Sequence, residues 1–339
     1  MSNIKFKALY LSTGLKSEVT VLRFIIGRRL RLNEKTMITS SSNTVENKLS
    51  NIEQYAIGIG LRAVHHQQIL EEKPSVDWLE VHSENFFGAH TAQRAYLDEV
   101  ADNYALSFHG IGLSLGSSDP INKQHLLLMK DLIDTYQPAL ISEHVSWSSV
   151  NSRYFNDLLP VPYTDESLNI FTDRLNEVQD FLGRQLIVEN PSTYLSFNHS
   201  TMPEWEFLNR IQETCQSGLL LDLNNIYVNS VNLGLDTNEY LQNINIAAVQ
   251  EVHLAGFTRK QLENGEILID THGSEVSEPV WDMFRYLRQS CAAPALIEWD
   301  SNIPELSVLL EQATRARTEQ QLACTSNVAQ SKVEQKVSV

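Results

Sequence analysis

Eight short apolar runs, each the length of a buried strand, alternate along the chain with longer stretches of helical periodicity. They are AIGIGLR from Ala56, WLEVHS from Trp78, ALSFHG from Ala105, ALISEHV from Ala139, LIVEN from Leu186, LLLDLNN from Leu219, VQEVHLAG from Val249 and ALIEWD from Ala295. Between them, TAQRAYLDEVADNY and the stretch from Thr164 to Leu182 place apolar residues at three- and four-residue spacing. Thr164-Asp165-Glu166 supplies a helix start, as do Pro203 and Pro304. Strands without polar alternation, separated by amphipathic helices, are parallel and covered on both faces. Eight such units close into an α/β fold of the (β/α)8 TIM-barrel type. A doubly wound open sheet shares the alternation, but it does not explain where the polar residues fall.

Nearly every run ends in a side chain able to bind metal. Run two ends in Glu80, His82 and Glu84, run three in His109, and run four in Glu143 and His144. Run five gives Glu189 and Asn190, and run six Asp222 and Asn225. Run seven gives His253, followed by Asp270 and His272, and run eight Glu298 and Asp300. In a barrel these positions gather at the C-terminal rim, where such enzymes carry their active sites. A charge on a strand of Ile, Leu and Val is costly to bury unless it is paired or ligates a metal. One strand-end histidine is ordinarily structural; the same pattern on seven strand ends is not a packing feature.

Imidazole and carboxylate donors without cysteine suit iron, manganese or zinc and disfavour Cu(I) and iron–sulfur clusters. The donors exceed what one ion needs, so the expectation is a multinuclear site whose carboxylates bridge ions. The three cysteines, Cys215, Cys291 and Cys324, have neither disulfide nor zinc-ribbon spacing, which points to a reducing, cytoplasmic setting. A formal net charge of −16 argues against a nucleic-acid partner, and no run is long enough to span a membrane.

The barrel domain is expected over 51–317, with a polar, disordered tail over 318–339. Residues 1–50 form a basic and then polar extension. Its first 36 residues hold eight Lys or Arg against two acids, and they read as a transit peptide, a membrane-surface helix, or an over-long frame whose start is Met37. Gly110, Gly112 and Gly116 form a glycine loop that lacks the lysine of a phosphate loop. Trp147, Tyr154, Phe155, Tyr194 and Tyr227 follow strand ends, where they either line a substrate groove or pack a lid.

The segments GIGLR, ENFFG, FHGIGLSLG, SEHVSW, LPVPYT, VENPSTY, LLDLNNIYVN, VHLAGF, IDTHG and LIEWD resemble the multinuclear non-haem iron-dependent oxidase family from about Gly58 to about Leu310. The resemblance implies a xylose-isomerase-like barrel holding two or three iron ions in mixed valence. It also implies O2-dependent modification of cysteines in a ribosomally synthesised precursor peptide, beside a small companion protein that presents the peptide. Carried onto matching motifs, the ligands are His109, Glu143, Glu189, Asp222, His253, Asp270, His272 and Glu298, with His253 and Asp270 expected to be indispensable for turnover. His82, Glu84, His144, Asn190, Asn225 and Asp300 are candidates for further ligands or for groups that orient them. One departure is Phe257, where the family usually has His after HLAG.

Two other classes stay open on the residues alone. One is a zinc or manganese sugar isomerase or phosphodiesterase on the same barrel, which consumes no O2. The other is a metal- or partner-binding protein without turnover, whose site keeps no open coordination position.

Overall fold

The computed structural model describes residues 51–337 except 152 and 264, and from Cys324 onward, Thr325 aside, it describes the backbone alone. The extension expected over 1–50, with its basic stretch and Met37, lies outside the described residues, as do 338–339.

The first six strands are β1 (Ile57–Gly60), β2 (Trp78–His82), β3 (Ala105–Gly110), β4 (Leu140–His144), β5 (Trp147–Val150) and β6 (Arg153–Leu159). The rest are β7 (Ile187–Glu189), β8 (Gly218–Asp222), β9 (Val249–Leu254), β10 (Thr258–Leu262), β11 (Gly265–Ile269) and β12 (Ala295–Ile297). Strands β1, β2, β3, β4, β7, β8, β9 and β12 pair in that order, all parallel, and β12 returns to β1 to close the barrel. Each barrel strand lies on one of the eight apolar runs. The other four make two antiparallel hairpins at the C-terminal side of the barrel, β5–β6 and β10–β11.

The helices are α1 (His66–Glu72), α2 (Ala92–Ala101), α3 (Lys123–Tyr136), α4 (Asp165–Leu182) and α5 (Glu204–Cys215). They continue with α6 (Leu223–Leu233), α7 (Thr237–Asn243), α8 (Glu278–Leu287) and α9 (Leu306–Val337). Helix α4 starts where its sequence indicates: Thr164 Oγ1 accepts the Ser167 N–H, and Leu168, Phe171, Leu175, Val178 and Leu182 face the barrel. The main core lies between the outer faces of the strands and these helices. A separate small cluster of Ala56, Trp78, Ala105 and Leu296 fills the N-terminal end of the barrel itself.

The tail expected from 318 is helical instead. Helix α9 continues through it to Val337, and its first turns beyond 318 are packed. Glu319 pairs with Arg285 at 2.7 Å, Gln320 donates to the Tyr55 carbonyl, and Ala323 is buried. Gln, Lys and Ala favour helix even in a polar sequence, and Ala313 and Ala316 allow close contact with the core. Among the described residues no helix is long and apolar enough to cross a membrane.

Candidate metal centre

Side chains alternate between the two faces of a strand, so only every second residue enters the barrel. On the last inward-facing positions this places His82, His109, His144, Glu189, Asp222, His253 and Glu298 in one ring, with Arg62 just beyond β1. All are buried or nearly so. Loop residues Asp270, His272 and Asp300 close over it.

The ring is dense. Glu189 Oε2 lies 3.4 Å from His109 Nε2 and 3.1 Å from His144 Nε2. Glu298 Oε2 lies 2.8 Å from His253 Nδ1 and 3.2 Å from His272 Nδ1, and Asp222 Oδ2 lies 3.7 Å from His272 Nε2. Ligand-type atoms come within 4.8 Å of one another in five overlapping sets. These are His109–His144–Glu189, Glu189–Asp222–His253–Glu298, Glu80–His82–Glu298, Glu80–Glu251–His253 and His272–Glu298–Asp300. Glu189 belongs to two sets and Glu298 to three, so these two carboxylates connect neighbouring sets.

Several inner atoms make no well-aligned hydrogen bond, although His253 Nδ1 lies 2.8 Å from Glu298 Oε2 and His272 Nε2 lies 2.7 Å from Asp270 Oδ1. Among the buried atoms that lack such a bond are Glu80 Oε1, Glu189 Oε2, Asp222 Oδ2, His253 Nδ1, His272 Nε2 and Glu298 Oε2. Buried polar groups are normally satisfied, so orphaned lone pairs converging on one place fit cation ligands. The outer atoms of the same groups are fixed. His109 Nδ1 meets Ser142 Oγ at 2.7 Å, His144 Nδ1 meets the Gly110 carbonyl at 3.1 Å, and His253 Nε2 meets Glu80 Oε2 at 3.1 Å. The carbonyl makes His144 Nδ1 the donor, which turns the Nε2 lone pair toward Glu189. Asp222 Oδ1 accepts the Asn225 N–H, while Asn190 exchanges hydrogen bonds with the Asp222 backbone.

Electrostatics agree with a missing positive charge. Burial, reinforced by neighbouring acids, pushes Glu80 and Glu189 up to about 8 and Asp222 up to about 7. Burial opposes protonation of His144, but Glu189 and Glu143 outweigh it and raise the ring to about 9. Burial likewise opposes charge on His253 and His272, yet Glu298 with Glu80, and Asp270 with Glu298, hold them well above the ordinary value. Burial and the neighbouring His144 and His253 hold His109 well below it. These protons occupy the space in which a cation would replace them.

Two expected ligands stand apart from the five sets. Glu143 lies between inward-facing Ser142 and His144, so it points away from the barrel axis. Its oxygens accept the Leu113 and His144 N–H groups, and a Cβ on Gly110 would meet Glu143 Oε2 at 2.6 Å. Asp270 reaches the ring through His272 Nε2 at 2.7 Å, while Ser192 and Asn224 each donate to it at 2.8 Å. His272 is held at φ 41°, a left-handed conformation unusual for a side chain with a Cβ. Glu84 sits at the cavity wall, 3.3 Å from His125 Nε2.

Three contributors escaped the sequence reading. Glu251 lies two residues before His253, fully buried, with Oε1 3.5 Å from His253 Nε2 and Oε2 accepting from Ser107. Arg62 pairs with Asp300 across the closure of the barrel. His125 comes from helix α3 rather than from a strand end. The signal for Glu251 was available in its two-residue spacing from His253; nothing local marks His125.

Above the ring opens a cavity of about 780 Å³, lined in part by His82, His109, His144, Glu189, Asp270 and Glu298. Tyr154, Phe155 and Tyr194 also line it. Trp147 instead packs edge-on against Phe155, and Tyr227 lies against Phe257, both away from the cavity lining. Phe257 is half-buried, with Tyr227 on its ring and the Arg259 guanidinium 5.9 Å from the ring centre, and it does not line the cavity.

The chain matches the family model described as "RiPP precursor modification enzyme MbnB/TglH/ChrH" over residues 56–321. A UPF0276 protein of Psychromonas ingrahamii is 48% identical over 82% of this chain and 99% of its own length. Another, of Acaryochloris marina, is 42% identical over 77% of this chain and 93% of its own. Among solved structures, a D-tagatose 3-epimerase-like protein aligns with TM-score 0.51 at 16% identity, covering 81% of this chain and 99% of that one. A xylose isomerase-like TIM barrel protein from Mycobacterium smegmatis in complex with magnesium aligns with TM-score 0.50 at 11% identity, covering 81% and 98%. At these identities the structural likeness speaks to the fold, which is a xylose-isomerase-like TIM barrel.

Proposed function

Because the chain belongs to the RiPP precursor modification enzyme family MbnB/TglH/ChrH, we propose that it uses O2 to oxidise cysteine residues of a ribosomally made precursor peptide, at a centre of two or three iron ions. The observation that carries this reading is the ring of buried His and carboxylate atoms, several without a well-aligned hydrogen bond, facing one cavity. The donors that would hold iron are His109, His144, Glu189, Asp222, His253, His272 and Glu298, with His82 and Asp300 at the edge and Asp270 behind His272. Bound iron, mixed in valence, would supply the electron transfer to O2 that no side chain here provides.

The chain's own part is placement. Ser142, the Gly110 carbonyl and Glu80 each fix one nitrogen of a histidine and so aim the other inward. Ser192 and Asn224 hold the Asp270 carboxylate against His272. Burial of the ring excludes water, so a cysteine entering from the 780 Å³ cavity meets the centre in a low-dielectric setting. The small companion protein belongs to the same reading. Tyr154 and Phe155, 66% and 44% exposed on the hairpin beside the cavity, support a partner or peptide at its mouth. A reducing cytoplasm also belongs to it, and the buried free thiols Cys215 and Cys291 are compatible with one.

The test is oxygen uptake by the iron-loaded protein with a Cys-containing peptide encoded beside its gene, read together with the mass of the peptide. Uptake tied to a mass change on cysteine is the expected result. A thiolate-free His and carboxylate set also suits zinc or manganese, which supports a second reading as a divalent-metal isomerase or hydrolase. That reading predicts turnover without oxygen uptake.

A further inference from the structure

A second cavity, of about 260 Å³, lies back to back with the first. The two share a wall made of two segments whose residues alternate between them. Leu158, Ser192 and Tyr194 face the metal cavity, while Pro160, Thr193 and Leu195 face the second one. Ser192 donates to the Asp270 carboxylate and Tyr194 accepts the Asp270 N–H, so the wall connects to the ring of ligand-type side chains through Asp270 and His272.

The charge of this cavity is one-sided. Its deep end holds Glu204, 6% exposed, whose two oxygens accept from Tyr163 Oη at 2.6 Å and Tyr240 Oη at 2.8 Å. With both phenol protons committed to the carboxylate, the remaining lone pairs of all three residues can only accept. Phe197 and Trp205 add aromatic wall, and Leu195 and Leu235, 49% and 38% exposed, form an apolar rim. Asp236 and Glu239 stand exposed at the mouth, and no Lys, Arg or His is among the described residues lining it. Thr193, Ser196 and Ser200 offer neutral hydroxyl donors, but an anionic ligand finds no positive charge among the described residues lining the cavity. A donor-only cation on an apolar stem finds acceptors, aromatic faces and negative charge in one place.

We propose that this cavity binds a basic side chain of the peptide substrate, a lysine ammonium or arginine guanidinium, beside the metal centre. The inference rests on the proposed function only in taking that side chain to belong to the peptide. Seated there, the side chain would anchor the substrate behind the wall that carries Ser192 and Tyr194, and so select peptides with a basic residue near the reacting cysteine.

The binding is measurable without turnover. The probes are Nα-acetyl-lysine methylamide, Nα-acetyl-arginine methylamide and the neutral isostere Nα-acetyl-norleucine methylamide. Each is titrated into the full chain by ligand-observed NMR. The lysine or arginine derivative should bind at least about tenfold more tightly than norleucine, and Glu204→Gln should remove that preference. Since Glu204 is buried, Glu204→Gln is checked by thermal melting. If it does not fold, Trp205→Phe and Glu239→Gln take its place, each expected to weaken the basic probes and leave norleucine unchanged. Equal binding of norleucine, or no binding of either basic probe, would overturn the proposal. Failure of the oxidation reading would instead appear in metal content and oxygen uptake, which these titrations do not involve.

Discussion

At the N-terminal end of the barrel strands the interior is filled by Ala56, Trp78, Ala105 and Leu296; at the C-terminal end the same strands converge on His82, His109, His144, Glu189, Asp222, His253 and Glu298. The lower end is closed by shape. The Trp78 indole lies so near Gly58 that a Cβ there would come within 2.4 Å of its ring. The upper end is closed by charge, and several of its buried atoms lack a well-aligned hydrogen bond. The lower end lowers the free energy of the fold through apolar burial. The upper end raises it, because ionised groups are held out of water without full compensation. A ring of this kind persists when a ligand supplies the missing charge, and its cost is carried by the packing beneath it.

Substitutions at the two ends should therefore separate cleanly. Glu189→Gln removes a donor shared by two sets of ligand atoms and is expected to abolish turnover and lower metal content by at least one ion per chain. Its metal-free form should melt no lower than the metal-free parent, since burial already disfavours the Glu189 charge. Elemental analysis and calorimetry check both halves. At the other end, Trp78→Ala should cost about 3–5 kcal/mol of stability in denaturant titration and leave the metal per folded chain unchanged. Loss of metal there, at full folding, would break the comparison.

The pH dependence sharpens it. In the metal-free protein Glu80 and Glu189 titrate near 8 against an ordinary 4.5, so the folded state binds more protons than the unfolded one across that window. Their contribution is fully present below 4.5 and is lost as pH rises through about 8. His144, raised from 6.5 to about 9, acts in the same direction. Metal-free protein should thus lose stability as pH rises from 5 to 9, whereas metal-loaded protein should show little of this slope (melting temperature against pH reads both). The smallest effect belongs to Phe257→His. That ring lies tilted against Tyr227 and outside the cavity lining, so metal content and turnover should change by less than about twofold. A large gain in metal affinity would show that position 257 reaches the centre.

The barrel was legible because each of its strands is a short apolar run and each run carries its own polar end. The rest was hidden for identifiable reasons. In hairpins β5–β6 and β10–β11 the strands β6 and β10 are mostly exposed, and none of the four carries a continuous apolar run like those of the barrel strands. The strand-end pattern offers Glu143 and His144 together and the resemblance puts Glu143 in the ligand set with His144 behind it, but neighbours on one strand cannot both enter the barrel, and His144 is the one that does. The same alternation, applied two residues back from His253, identifies Glu251. Arg62 and His125 join the site only through closure of the barrel and the approach of α3, and neither event leaves a local signature. Polar composition beyond 318 carries no packing signal of its own, and the contacts of Glu319 with Arg285 and of Gln320 with Tyr55 are long-range.

Metal analysis with Mössbauer spectroscopy on protein purified anaerobically, beside the Glu189→Gln variant, tests whether the upper ring takes iron as proposed. Two or three irons per chain with mixed-valent signals, reduced in the variant, is the predicted result. Stoichiometric zinc or manganese after growth with ample iron, or undiminished iron in the variant, would contradict it.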